Sequence, residues 1–565
     1  KLSSTLYIHT MSNNGYKKKQ GAGAGRIQFL GLRPTTLENK YIVGSGVTTH
    51  SRFVQNALRN RASNNSQQKP CCFPGPPPPL PVQVPPCQWS QQGCVGCVVN
   101  DPYSLGATVS LSDDGMTAVV GVPFYPGDPG YPAGAIRLFK FQSGTWTQTA
   151  EVIGTIPQAP SPQNTAALGS AVAISGDGST VIASEPALDT FSQSQFEVRE
   201  GVVKIFSVDS AGNLTPFPNA GSPTILGDET QPVVRPFQGY VLPPPYTNGP
   251  NEYYKSFGGS IAINYDGTVI AASSTMFPYR LQVGIAPTRS GGGVQIYEKN
   301  AGTYSPAMWY MAPSAYSGSF WLPHNGSGPT AFGSSLSLSK DGTTLAIGAP
   351  RYQENPTPSN VFLPSATRPY QSGSVVVVKK TGGAWPSGIF TTSGTTNGYI
   401  IPVNTAMPTP FWQLIQLSSP YERERFGGSV AINGDGTRIV TASHPWLAPV
   451  PSTPITRVWD FDAAQNAWNQ VGQDIPAVTT ITTATQINCA INEGGNRILI
   501  GDKNSVGATC YELIGNTWTV VCYPIAGDNV IAVDMDAGGS KVVLGTPSIS
   551  QLQNGSVGFH KLLNA

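Results

Sequence analysis

Phe332-Gly-Ser-Ser-Leu-Ser-Leu-Ser-Lys-Asp-Gly342, continued by Thr343-Thr-Leu-Ala-Ile-Gly-Ala-Pro350, is the stretch that decides the fold. Small or polar residues alternate with aliphatic ones on both sides of Asp341-Gly342, a period of two that sorts the side chains onto opposite faces of a strand. Asp-Gly suits a tight turn, since Gly, and less readily Asp, tolerates positive φ. The stretch predicts a β-hairpin whose first strand is crowded with Gly and Ser.

The same phrase recurs at Leu168-Gly-Ser-Ala-Val-Ala-Ile-Ser-Gly-Asp-Gly178, Phe257-Gly-Gly-Ser-Ile-Ala-Ile-Asn-Tyr-Asp-Gly267 and Phe426-Gly-Gly-Ser-Val-Ala-Ile-Asn-Gly-Asp-Gly436, and Leu105 to Gly115 is a fifth copy. Two weaker copies end at Glu493-Gly-Gly495 and Asp536-Ala-Gly-Gly539, without the Phe-Gly opening. Each unit continues with a third alternating run, as at Gly201 to Phe206 and Gly373 to Val378. A fourth run commonly carries tryptophan: Trp146, Trp309, Trp412, Trp468 and Trp518. Four strands in each of seven units predict an all-β fold, a seven-bladed β-propeller with four-stranded blades. Small residues in the first strand fit the crowding near the axis of such a ring.

The seventh unit ends after its third strand, while Gln88-Trp-Ser-Gln-Gln-Gly-Cys-Val-Gly-Cys-Val-Val99 reads like the fourth strand Thr145 to Gly154. The ring is therefore expected to close through Trp89, Val95 and Val98 lying beside Gly555 to Leu562.

Composition agrees with turns and strands: Gly 63 and Pro 51 of 565 residues, with charged residues at 11%. No run approaches the ~18–20 apolar residues of a transmembrane helix, and the first thirty residues lack a secretory pattern. The net charge of +2 conceals a split: residues 1 to 86 carry eleven Lys and Arg against the one acid Glu38, and the remainder carries 22 basic and 30 acidic side chains. We read residues 1–69 as a basic, partly extended anchoring arm, 70–86 as a Pro-rich, polyproline II linker, and 87–565 as the propeller. In the arm, Lys17, Lys18, Lys19, Arg26 and Arg33 supply charge around the apolar Phe29. Near 51–62 a short helix is predicted, with Phe53 and Leu58 on one face and Arg52, Arg59 and Arg61 on the rest. An arm of this kind fits docking into a larger protein assembly; contact with nucleic acid or an anionic membrane, and a plain solvated tail, are the alternatives.

The Phe-Gly opening, the Gly-Ala-Pro ending the second strand and the Asp-Gly turn together resemble the FG-GAP repeat of integrin α-subunit propellers. Family members with a DxDxDG-type loop bind calcium, but Ser112-Asp-Asp-Gly115, Ser175-Gly-Asp-Gly178 and Asn264-Tyr-Asp-Gly267 depart from that pattern. Asp114, Asp177, Asp266, Asp341 and Asp435 are accordingly read as turn formers. The string Gly25-Arg-Ile-Gln-Phe-Leu-Gly-Leu-Arg-Pro-Thr-Thr36, with Lys40-Tyr-Ile-Val-Gly-Ser-Gly46 and Arg52-Phe-Val54, resembles a leader on proteins of large DNA viruses of algae and protists. That resemblance implies an attachment module and a virion component, with capsid proteins as partners.

Chemistry-bearing motifs are sparse. His9, His50, His324, His444 and His560 form no HExxH or HxH pairing, there is no GxSxG elbow or phosphate loop, and Cys94 and Cys97 make a lone CxxC. His444 and Glu185 follow the second strands of blades five and two, where a channel mouth would lie; ordinary loop residues are the commoner reading of both. The sequence therefore sets three expectations: no enzyme activity and no cofactor, a structural or adhesion role in a virion, and long insertions (215–255, 305–330, 351–371, 383–410) for recognition. A secreted or cell-surface propeller binding glycan or protein ligands is the alternative, and would need an export signal upstream of Lys1.

Overall fold

A four-stranded unit cannot bury both of its faces alone, so the repeats must stack on one another. A computed structural model describes residues 42–43, 46–47, 88–95, 104–126, 132–154, 167–186, 201–217, 257–275, 292–314, 331–350, 373–386, 389–390, 399–402, 412–415, 424–443, 454–477, 487–502, 507–521, 525–526, 530–547 and 555–563. The chain divides into two units, Lys1–Gln83 and Val84–Ala565. In the first, Ile42–Val43 pairs antiparallel with Gly46–Val47. The helix predicted near 51–62 lies outside the described residues.

The second unit is a seven-bladed β-propeller of antiparallel four-stranded blades. The innermost strands, in chain order, are Thr108–Leu111, Val172–Ile174, Phe257–Ile263, Ser335–Leu338, Ser429–Ile432, Ile487–Ile491 and Ala532–Met535. Blade 7 is completed by Gln88–Val95, which pairs antiparallel with Ser556–Leu563; Trp89 faces Leu562, and Val95 faces Val557 in the backbone register. This is the closure expected from the sequence. Val98 lies outside the described residues.

Each repeat of the phrase does the same physical work. Gly115, Gly178, Gly267, Gly342, Gly436, Gly495 and Gly539 all take positive φ, while the Asp before each of the first five does not. Asp instead accepts hydrogen bonds from its own turn: Asp341 Oδ1 receives the Ser339 hydroxyl at 2.6 Å and the Thr343 N–H at 2.9 Å. Asn433 and Asp435 arrange the blade 5 turn in the same way. These carboxylates are thus held by their turns, as formers of them.

The Phe-Gly opening is a lock between blades. Leu105, Leu168, Phe257, Phe332 and Phe426 are completely buried. Phe332 pairs in parallel with Gly292 of the preceding blade, and Phe426 with Gly373. A side chain at Gly373 would meet the Phe426 carbonyl at 2.1 Å, so the approach requires glycine. Among the described residues the buried apolar side chains gather into seven clusters, each drawn from two neighbouring blades. The core of this protein is therefore a set of interfaces between sheets, and burying each such aromatic contributes roughly 1.5–3 kcal/mol.

Two features were not foreseen. The 383–410 insertion of blade 4 places Tyr399–Pro402 parallel to the outer strand of blade 3 and Ile389–Phe390 beyond it, making blade 3 a six-stranded sheet. Trp385 anchors it by donating its Nε1–H to Glu298 at 2.8 Å. The 305–330 insertion begins as regular structure, because the fourth strand of blade 3 runs through Thr303–Ser314.

Candidate functional site: the central channel

Each innermost strand is an edge strand, so one row of its backbone N–H and C=O groups is left for partners outside its own sheet. The phrase supplies some of those partners. The residue two positions before the Ser, Asn or Asp that opens the turn is Ser110, Ser337 or Asp534 in blades 1, 4 and 7, and Ala in the other four. Ser110 Oγ accepts the N–H of Ile174 at 3.3 Å, Ser337 Oγ that of Ile432 at 3.1 Å, and Asp534 Oδ2 that of Leu111 at 2.8 Å. Each bond joins one blade to the next around the axis. Crowding near the axis accounts for the size of the serines but not for these bonds; the signal in the sequence is the side-chain oxygen that three of the seven copies carry at this one position.

These strands surround a cavity of about 290 Å³, with aliphatic, Ser and Ala side chains along its wall. Asp534 is one of the carboxylates in that wall, with Asp113, Glu493 and Asp536 toward the turns. Burial pushes it up to about 6 against the hydrogen bonds from Leu111, Met535 and Ser110, with Asp113 adding to the rise. It can therefore exchange a proton near neutrality. Cys489, also in the wall, lies 3.4 Å from Ser429 Oγ, and burial pushes its thiol up to about 12, away from a thiolate nucleophile.

At the end where the Asp-Gly turns meet, Lys340 Nζ lies 2.9 Å from Glu493 and 3.3 Å from Asp113, and 4.4 Å from the Tyr265 ring centroid. Burial opposes the Lys340 charge, yet the two carboxylates raise its pKa, so it remains an ammonium group. Asp113 is raised by burial more than Lys340 lowers it. Among the described residues no group of three His, Cys, Asp or Glu comes together as a metal site.

Glu185 is wholly buried and bound to Lys204 Nζ at 2.9 Å, an internal ion pair of blade 2. His560 is in the third strand of blade 7, where burial holds it down at about 4. His444 lies outside the described residues, as do Lys17, Lys18, Lys19, Arg26, Phe29, Arg33, Arg52, Phe53, Leu58, Arg59 and Arg61. Cys94 of the closing strand is disulfide-bonded, whereas Cys489 and Cys510 are free thiols.

No family model and no curated protein matches the chain. Solved structures similar to it include a candidate 6-phosphogluconolactonase from Bacteroides uniformis, 11% identical over 75% of this chain and 86% of that one, with a TM-score of 0.39. A periplasmic gluconolactonase from Pseudomonas aeruginosa is 15% identical over 78% of this chain and 86% of that one, also with a TM-score of 0.39. One expectation is corrected by them. The sparse motifs predict no enzyme activity, yet these similar structures carry the names of enzymes. Residues gathered at a channel from separate blades leave no contiguous motif, so a sequence without one does not exclude catalysis. At such low identity and TM-score the likeness assigns no reaction.

Proposed function

We propose that this chain is a displayed structural or adhesion protein: a propeller of the FG-GAP kind carried on a basic arm that docks into a larger assembly, with a virion as that assembly. The observation that carries the reading is the junction at Gln88. The strand Gln88–Val95 is outermost in its blade, so the chain leaves the ring at its rim, immediately after the Pro-rich linker and the segment holding eleven of the 33 Lys and Arg. A stiff spacer between a cationic segment and a rigid body suits anchoring at one end and presentation at the other. The Phe-Gly lock between blades supports the FG-GAP comparison. The arm would meet capsid or other assembly proteins through its basic and apolar residues together, and insertions on the propeller would contact glycan or protein ligands.

The test is partition. Full-length chain and residues 84–565 are each incubated with purified particles and sedimented. Full-length protein is expected in the particle fraction and the shortened form in the supernatant; equal partition of the two would remove the arm from the account. Nuclease or lipid-vesicle competition that strips the full chain would move the contact to nucleic acid or membrane.

One observation favours the secreted or cell-surface reading. The Cys94 disulfide suits an oxidising compartment. Binding of the 84–565 form to a glycan array, with no arm-dependent sedimentation, is the result that would select it.

A further inference from the structure

We infer that the channel is a one-ended pit, sealed at the turn face by a continuous belt of backbone hydrogen bonds that closes the propeller a second time, at its axis. The belt runs through the residue after the Ser, Asn or Asp that opens each Asp-Gly or Gly-Gly turn. Asp113 N–H donates to Gly176 C=O at 2.9 Å, Asp177 to Tyr265 at 3.0 Å, Tyr265 to Lys340 at 3.1 Å and Lys340 to Gly434 at 2.9 Å. Gly434 then donates to Glu493 at 3.0 Å, Glu493 to Ala537 at 3.1 Å, and Ala537 back to Asp113 at 3.0 Å. All seven blades take part, every donor points the same way round, and the circuit shifts by one residue only between Gly176 and Asp177.

Seven backbones spaced as hydrogen-bonded neighbours, ~4.8 Å apart, form a ring of roughly 5.5 Å radius, too wide for backbone alone to fill. Side chains fill it. Lys340 reaches from blade 4 to Asp113 of blade 1 and Glu493 of blade 6, with the Tyr265 ring against its ammonium group. The two glycines of the belt make room: a Cβ at Gly176 would meet Tyr265 at 2.3 Å, and one at Gly434 would meet Glu493 at 2.5 Å.

Antiparallel order fixes the other end. The Asp-Gly turns and the turns between third and fourth strands share the sealed face. The connections from second to third strands, and from each blade to the next, begin and end on the opposite face. A molecule bound in the channel therefore enters from that face, where the 215–255 and 351–371 insertions depart. The belt also ties blade 7 to blade 1 through Ala537 and Asp113 without using Gln88–Val95.

Amide hydrogen exchange tests the belt in the full-length protein. The amides of Asp113, Asp177, Tyr265, Lys340, Gly434, Glu493 and Ala537 lie in turns, yet should exchange on the order of 100-fold more slowly than those of Gly144, Gly302 and Gly515, in turns between third and fourth strands on the same face. Exchange at the same rate as those three would overturn the belt. In residues 102–565, which lack the closing strand, the seven amides should keep their protection while those amides of Ser556–Leu563 that point to Gln88–Val95, and not to Lys541–Thr546, lose it. Loss of both together in that folded fragment would show that the axis depends on the rim, and a fragment that does not fold would show the same.

Discussion

Phe332 illustrates how much a single residue of the repeat does. Its ring is fully buried between blades 3 and 4, its backbone pairs with Gly292, and Gly333 behind it holds a positive φ. Phe332→Ala should cost about 3–5 kcal/mol, read as a lower denaturation midpoint with the slope unchanged. Asp534 acts with opposite sense on charge. Its native pKa of about 6 lies above the ordinary 3.8, so between these values the folded state holds more protons than the unfolded one and stability falls as pH rises. Asn retains an oxygen for the Leu111 N–H, so Asp534→Asn should be at least as stable as the parent at pH 7 and should lose this fall between pH 4 and 6. A variant much less stable at pH 7 would show that the carboxylate charge itself holds blades 7 and 1 together.

At the scale of elements, blade 7 is where the two ends of the ring meet. The closing strand bulges between Gln91 and Gly93, and Gly93 sits against Trp146 of blade 1, where a Cβ would lie 3.3 Å from the indole. Trp146 in turn stacks on Phe559 at 4.0 Å. Removing residues 1–101 uncovers the long edge of Ser556–Leu563, and the expected result is concentration-dependent aggregation in light scattering where residues 84–565 stay monodisperse. A monodisperse 102–565 form of parental stability would contradict the role given to the strand. His560 in the same blade carries a pH effect opposite to that of Asp534. Its pKa is lowered to about 4, so its share of stability is present above 6.5 and is lost as pH falls toward 4. The blades were legible because hairpin periodicity and turn residues are local. The strands that 383–410 adds to blade 3 were not, because pairing with a neighbouring blade's edge leaves no periodic signature of its own.

For the whole molecule, architecture was readable and chemistry was not. Seven copies of one phrase and a stray fourth strand at Trp89 were enough to place the ring and its seam. The channel, by contrast, is assembled from a few residues of every blade, and its charged groups, such as Lys340, Asp534 and Glu493, come from different blades, so that their meeting depends on closure and shows in no contiguous motif. The ring closes only if the strand Gln88–Val95 completes the last blade of the same chain. Ser90 and Lys561 face each other in that pairing. The most direct measurement is the peptide map of the Ser90→Cys, Lys561→Cys double variant after a short bifunctional thiol crosslinker, at high dilution. An intramolecular 90–561 crosslink in monomeric protein is expected; crosslinks found only in oligomers, or none, would show that the strand does not close its own ring.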